Sequence, residues 1–502
     1  CELILSSRGL IKSMMVIGSA QAVNILIFIL RMKVLALLLG PAGIGLLSIY
    51  NNLLAMVSTA AGLGMGSSGV RQIASVKGEE QVLTRVRRVL FAALLVQGVL
   101  AMVGVWFLRT NIAEWLLGDR EYATEVGLIG VALLLGLLGT AQTALLQGMR
   151  RIGDLARVTV LSALIGTVSG LAAVWFYGEA GLIWFVVVQQ LATIVIALRY
   201  TSRLPNPSAP RPSVVEIWEV WKPMAKLGSA FMLAALATTA TLLFIRSLIG
   251  QNLGIDATGQ FAAAWGLTVT YIGFLLGAMG ADFYPRLTEV IGDRQITNKL
   301  VNDQAQLGLA IGGPLILVMI GMAPWVMSLL YSSEFHEAAG MLQVQMLGNV
   351  IKIVGFPLGY MFIAAARSKL YLFTQLNWNV FFLFLVWYWL PQYGLAAVGV
   401  AFSTAYALNF TIANILVRRL HAFRWEVLSL WLFVLHATLS LGLLAVGQIA
   451  PHLAAIASPL LALATGAFGL RVVLSKIGKH GRLPTRLYRI FARLGWPIRP
   501  AV

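Results

Sequence analysis

The stretch QAVNILIFILRMKVLALLLGPAGIGLLSIYNNLLAMVSTAAGLGMGSSGVR, from Gln21 to Arg71, decides the fold class. It reads as an apolar helix with a cation pair at Arg31 and Lys33, a glycine turn from Gly40 to Gly45, a second apolar helix and a basic exit. A bilayer span needs about 20 mostly apolar residues, and each arm supplies one. Charge inside such a segment is costly, so Arg31 and Lys33 are read as functional candidates. A similar layout returns as LLFIRSLIGQNLGIDATGQFAAAWG, followed by a glycine-rich run to Tyr284, Pro285 and Arg286. Arg31 to Gly45 is 14 residues and Arg246 to Gly259 is 13; from those glycines to Arg71 and Arg286 the steps are 26 and 27. The match is a weak internal repeat.

The chain of 502 residues is 59% hydrophobic and only 11% charged. Soluble domains carry about 25% charged residues, so this composition demands a polytopic membrane protein. The single cysteine, Cys1, excludes an internal disulfide framework and any CxxC metal site. A chain opening on Cys1 is expected to have a trimmed or partial N-terminus, and its first apolar segment is too long for a signal-peptide core.

Apolar segments fall near 10–39, 43–68, 88–108, 125–148, 158–177 and 181–200, then 226–249, 258–283, 305–330, 338–364, 370–390 and 395–417, with a last pair at 428–449 and 453–475. The expectation is an all-α integral membrane protein of about fourteen transmembrane helices. An N-terminal six-helix bundle spans 8–200, a cytoplasmic linker 201–225, a second six-helix bundle 226–417, an extra transmembrane pair 428–475 and a basic tail 476–502. Pro205, Pro207, Pro210 and Pro212 exclude regular helix from the linker. Six spans per half makes the repeat a pseudo-two-fold about the membrane normal, with a cavity at the repeat interface, which is a transporter's layout.

The net charge of +18 has a membrane explanation rather than a nucleic-acid one. With these spans, 31 of the 37 Lys and Arg fall on the N-terminal side and only Arg109 and Arg120 in opposite loops. Cytoplasmic loops are rich in Lys and Arg, so both termini are expected in the cytoplasm.

Four cations remain inside spans: Arg31, Lys33, Arg246 and Lys352. No Asp or Glu is placed well inside one; Asp282 comes closest. At about 1.5 Å per residue, Arg31 lies roughly 32 Å from the start of its helix, in the outer half, where snorkelling to headgroups competes with a functional role. Gln21, Asn24 and Arg31 nevertheless share a helix face, and lipid offers nothing to such a stripe. Lys33 points nearly opposite and suits snorkelling better. Arg246 occupies the matching depth in the second half. Lys352 lies about 21 Å into its helix, near the midplane, and forms a row with Gln345 and Asn349. Ser48, Asn51, Asn52, Gln142, Gln147, Gln189, Gln190, Asn377 and Asn379 are further lumen candidates, each with a plain interhelical hydrogen bond as its alternative. A cavity of cations and amides suits an anion with a polar body, such as a phosphorylated glycan. In the tail, Arg482, Arg486, Arg489 and Arg493 recur at helical spacing opposite Leu487, Ile490, Phe491 and Leu494, the pattern of a helix on an anionic leaflet.

From Lys33 through Gly45, and on through Asn51 to Arg71, the chain resembles the Wzx-type O-antigen and lipid III flippases. These form the polysaccharide transporter family of the MOP superfamily, which also holds the MATE exporters and the lipid II flippase. The matching features are a basic residue seven before Gly40, the run Gly40, Pro41, Ala42, Gly43 and Gly45, a glycine-rich end to span 2 and a basic exit. The resemblance implies a MATE-like fold and transport of undecaprenyl-pyrophosphate-linked oligosaccharide, an O-antigen or common-antigen unit, from the cytoplasmic to the periplasmic leaflet of the inner membrane by alternating access. It implies a cationic lumen, onto which Arg31, Lys33, Arg246 and Lys352 are carried, with Asn24, Asn51, Asn52, Gln345 and Asn349 beside them. Membrane lipids, a polysaccharide polymerase and a chain-length regulator are the implied partners, with no cofactor, metal or nucleic acid. Shorter members have twelve spans, so 428–475 is extra.

Two other classes compete. A MATE-like exporter of small molecules shares the fold but usually needs cavity acids. A membrane glycan polymerase or glycosyltransferase needs a sizeable extracytoplasmic loop or an acid or His cluster beside the membrane; Glu334, His336 and Glu337 form one small group, and Glu114, Asp119, Glu121 and Glu125 read as a solvated helix. No P-loop is present in the sequence.

Overall fold

The computed structural model describes residues 2–76, 79–204, 214–477, 482–493 and 496–498, without the side chains of 2–21, 214, 216, 227, 230, 231, 234, 278, 281, 282, 285, 368, 477 and 482–484. The side chains of Gln21 and Asp282 and the linker prolines Pro205, Pro207, Pro210 and Pro212 therefore lie outside the described residues. What is described is helical, with no strand among the described residues. In chain order the helices are α1 (Glu2–Ala61), α2 (Met65–Ser75), α3 (Glu80–Leu117), α4 (Ala123–Gly148), α5 (Ile152–Tyr177), α6 (Gly181–Thr201), α7 (Val214–Leu253) and α8 (Ile255–Val290). They continue as α9 (Arg294–Leu330), α10 (His336–Ala364), α11 (Ser368–Tyr393), α12 (Ala396–His421), α13 (Val427–Ile449), α14 (Pro451–Ile477) and α15 (Arg482–Arg493).

Among the described residues, 11 helical stretches are long and apolar enough to cross a membrane. Two of them, Ala22–Ala61 and Ile152–Thr201, run 40 and 50 residues, and each is broken partway. In α1 the break is Gly40, at φ 61° and ψ −162°, followed by Pro41. Glycine takes that conformation without a Cβ clash, and proline restarts a helix where its missing N–H costs nothing. The second apolar arm then stops at Ala61, and left-handed Leu63 and Gly64 turn the chain into α2. Side chains that water would not tolerate in such number stand outward: Leu100, Phe107, Trp175, Phe176, Leu329 and Leu463 are each more than half exposed. They are the hydrocarbon-facing surface of a multi-pass membrane protein.

The chain forms two compact units. The first holds residues 1–262 and 330–334. In it α3 packs on α4, α5 on α6, α4 on α6, and α1 on α5 and α7, while α7 also reaches α2 and α3. Two backbone crossings need glycine. A Cβ on Gly45 would stand 2.3 Å from the Ile255 carbonyl oxygen, and one on Gly259 would stand 1.8 Å from that of Pro41. About 19 residues along, Gly64 and Gly228 meet in the same way, each Cβ falling 2.1 Å from a carbonyl oxygen of the other segment. Gly45 and Gly259, matched by the internal repeat, are thus where α1 and α8 cross.

The second unit holds 263–329 and 335–502. There α10 packs on α11, α12 and α13, α11 on α12, and α13 on α14. It holds an aromatic knot of Trp265, Trp378, Phe382, Phe402 and Tyr406, with neighbouring rings 4.8–6.4 Å apart. Buried Asn302 of α9 clamps the start of α13. Its Oδ1 accepts from the Glu426 N–H at 2.8 Å and the Ser429 hydroxyl at 2.8 Å, and its Nδ2 donates to the Arg424 carbonyl at 3.0 Å.

Candidate functional site

Arg31 reaches a cavity inside the first unit. The space is about 330 Å³ and is lined by Asn24, Phe28 and Arg31 of α1, Thr143 of α4, Ser162 of α5, and Gln189 and Thr193 of α6, among others. Asn24 and Arg31, read from the sequence as one stripe, both face it, because seven residues on a helix return to nearly the same side. The Arg31 guanidinium carbon lies 5.3 Å from the Phe28 ring centre and 5.6 Å from that of Phe185, within cation–π range. Its Nε is buried without a hydrogen-bond partner, as are Asn24 Oδ1 and Gln189 Oε1. Gln189 is held by its other end, where Nε2 donates to the Ser162 carbonyl at 3.2 Å. One wall group can therefore donate as a cation and two can accept, with no carboxylate lining the space. Buried polar atoms are normally satisfied, so three orphans on and around one cavity point to a polar occupant.

Arg246, on α7 of the same unit, is only 5% exposed. Its Nη1 donates to the Leu242 carbonyl at 3.2 Å, its guanidinium carbon sits 5.0 Å from the Phe261 ring centre, and its Nε lacks a partner. Neither Arg31 nor Arg246 forms an ion pair among the described residues. Lys33 is half-buried and is not among the residues lining the Arg31 cavity. Asn51 and Asn52 spend their amides on their own helix, donating to the Leu47 and Ser48 carbonyls at 2.9 and 2.8 Å. Gln142 accepts the Thr201 hydroxyl at 2.7 Å, an interhelical bond between α4 and α6.

The row expected on α10 divides by burial. Gln345 and Asn349 are both 0% exposed. The Thr268 hydroxyl donates to Gln345 Oε1 at 2.9 Å, and Asn349 Nδ2 donates to the Gln345 carbonyl at 3.0 Å. Gln345 Nε2 and Asn349 Oδ1 are left without partners. Lys352, one to two turns on, is half-exposed, with its Nζ 5.3 Å from the Tyr406 ring centre.

Tyr50 has no place among the sequence candidates, and Glu125, expected on a solvated helix, is partly enclosed. Tyr50 is 1% exposed and its hydroxyl has no partner, and Glu125 has one carboxylate oxygen enclosed without a partner. Glu125, Tyr122 and Glu179 are the electrostatic neighbours of Tyr50. Glu125 stands in the first turn of α4, where spacing alone groups it with the exposed acids of the preceding turn. α1 packs on α4, and Tyr50 of α1 is a neighbour of Glu125. No group of three or more His, Cys, Asp or Glu among the described residues is placed to hold a metal ion.

The chain has relatives in sequence and in fold. A family model described as "Polysaccharide biosynthesis protein" matches residues 34–340. The lipid III flippases of Escherichia coli (strain K12) and Shigella flexneri are each 24% identical over 388 residues, covering 76% of this chain and 91% of theirs. Among solved structures, lipid II flippase MurJ in an inward closed conformation matches with TM-score 0.65 and 12% identity over 92% of this chain and all of that one. An inward-facing multidrug resistance MATE transporter of the MOP superfamily matches with TM-score 0.59 and 17% identity, over 80% of this chain and 95% of its own. A MOP superfamily transporter from Pyrococcus furiosus, whose binding pocket is described as reversed in polarity, gives 0.54 and 16% over 81% and 94%. The fold is that of the MurJ and MATE transporters.

Proposed function

The chain belongs to the polysaccharide biosynthesis protein family, and we propose that it flips undecaprenyl-pyrophosphate-linked oligosaccharide, an O-antigen or common-antigen unit, from the cytoplasmic to the periplasmic leaflet of the inner membrane. Lipid III and lipid II flippases among its relatives and fold neighbours support the cargo class. The observation that carries the reading is the cavity at Arg31: a cation without a carboxylate, beside amides whose acceptor atoms are unfilled. Guanidinium matches phosphate or carboxylate oxygens, and the amide acceptors match sugar hydroxyls. Arg246, Lys352, Lys33, Asn51, Asn52, Gln345 and Asn349 are the further residues of a cationic lumen in this proposal. Gln345 and Asn349, enclosed here, would serve it only in a state that uncovers them.

The topology proposed is fourteen spans, in two six-helix bundles and a C-terminal pair, with both termini cytoplasmic. The asymmetry of basic loops supports that orientation. With the cell interior negative, outward movement is favoured by about 2.3 kcal/mol per anionic charge per 100 mV, so the membrane potential favours export of a diphosphate once the cavity offsets its desolvation. A polysaccharide polymerase and a chain-length regulator would act on the delivered product. The test is complementation of a deletion strain that lacks surface glycan. The double variant Arg246→Gln, Lys352→Gln should reach the membrane at normal abundance and restore no glycan; normal glycan would sink the cationic lumen.

A second reading, a MATE-like exporter of small molecules, has the shared fold and the enclosed Glu125 oxygen in its favour. Drug sensitivity unchanged by deletion would remove it.

A further inference from the structure

The last helix among the described residues carries an arginine row, and part of its apolar face is already occupied. α15 reads RLPTRLYRIFAR and contains no acidic residue. Tyr488 and Phe491 are 7% and 6% exposed, clustered with Leu474 of α14 and Ile498. The Tyr488 hydroxyl donates to the Leu474 carbonyl at 2.8 Å. Beyond the helix, Trp496 packs 6.0 Å from Phe491 and 6.2 Å from Phe468. Arg471 of α14 fastens this return, its Nη2 donating to the Pro497 carbonyl at 3.0 Å and its guanidinium carbon 4.8 Å from the Trp496 ring centre. The expectation that Phe491 faces lipid is therefore corrected: it packs in the cluster against α14. Leu494 of the same expectation lies outside the described residues.

With that face pinned, Arg486, Arg489 and Arg493 are all exposed. At i, i+3 and i+7 they share the side opposite Tyr488 and Phe491, and the row runs about 10 Å. Lys476, near the end of α14, is ion-paired with Asp303.

We propose that this row docks on the headgroups of anionic phospholipids, holding the end of α14 at the leaflet surface. Two observations choose lipid. First, Pro451–Lys476 is long and apolar enough to span a bilayer, and α15 meets its end at Leu474 while the segment after α15 returns to Arg471, which sets the row at headgroup depth. Second, Ile490 and Trp496 remain 43% and 37% exposed, the aromatic and aliphatic residues that favour a membrane interface. Guanidinium supplies the paired donors that phosphate takes. A folded, docked helix also loses little freedom on binding, so the charges act together rather than as a loose tail.

The test needs no glycan substrate and is independent of the flippase reading. The full chain carrying Cys1→Ser and Ala492→Cys, labelled at the exposed position 492 with an environment-sensitive fluorophore, is reconstituted into phosphatidylcholine vesicles containing increasing phosphatidylglycerol. The emission should shift with phosphatidylglycerol, saturate, and reverse at high salt. Each single Arg→Gln change should weaken the response about fivefold, the triple variant Arg486→Gln, Arg489→Gln, Arg493→Gln should abolish it, and the triple Arg→Lys variant should keep it. A response to phosphatidylcholine equal to that for phosphatidylglycerol overturns the proposal. So does a triple Gln variant that behaves as the parent, which would leave the row to an acidic protein.

Discussion

Replacing Gly259 with alanine tests the crossing of α1 and α8 directly. The added Cβ would stand 1.8 Å from the Pro41 carbonyl oxygen, and the neighbouring atoms are backbone that no rotamer change can move. Carbon–oxygen contacts in proteins close to about 3.3 Å, so the two helices must part by roughly 1.5 Å. Overpacking of this kind costs about 1–3 kcal/mol. For a unit of this size, each kcal/mol lowers Tm by about 2–4 °C, so purified Gly259→Ala should melt roughly 2–12 °C below the parent. Gly104→Ala is the matched control: it sits inside α3, and nothing lies within 4 Å of its Cβ. There, alanine should stabilise by about 0.5–1 kcal/mol through the unfolded chain's lost freedom. Both proteins are followed by thermal unfolding in detergent, and surface glycan is scored in the complemented deletion strain. A Gly259→Ala protein that melts with the parent would refute the crossing. A fall at Gly104 equal to that at Gly259 would refute its specificity.

Other outcomes follow from single contacts. Arg31→Gln should leave insertion and Tm near the parent while surface glycan falls at least tenfold, and Arg31→Lys should recover only part of it, since an ammonium lacks the planar donor fork; wild-type glycan from Arg31→Gln would remove Arg31 from the path. Thr268→Val leaves Gln345 Oε1 without the bond it now receives, a cost of about 1–3 kcal/mol that a Tm measurement should detect. Asn302→Leu strips the bonds that hold the start of α13 and should cost more than Thr268→Val, with loosening of residues 424–429 seen as faster amide exchange. Equal exchange there in parent and variant would contradict the clamp.

Much of the architecture was legible along the chain. An apolar arm long enough to span, interrupted by Gly40 and Pro41, can be read locally because helix length, glycine freedom and proline geometry are properties of a few adjacent residues. The shared face of Asn24 and Arg31 was readable for the same reason, through the helical repeat. The same repeat linked Gln345, Asn349 and Lys352, yet it could not tell enclosure from exposure: Gln345 and Asn349 are fully buried and Lys352 is not. Periodicity gives a face its direction and leaves its neighbour unnamed.

What lies opposite each face was decided by tertiary structure alone. Glu125 and Tyr50 become neighbours only because α1 and α4 pack together, 75 residues apart in the chain. Phe185 reaches Arg31 from α6, and Gln189 closes the same cavity, with no local signal marking either as its partner. The tail shows the contrast most plainly. Its pattern marks an amphipathic arginine helix, while the fold turns Tyr488 and Phe491 onto Leu474 and Ile498 and leaves Ile490 outward. Composition and periodicity are summed over neighbours in sequence, whereas burial, orphaned polar atoms and cavity shape depend on which distant helix fills each groove.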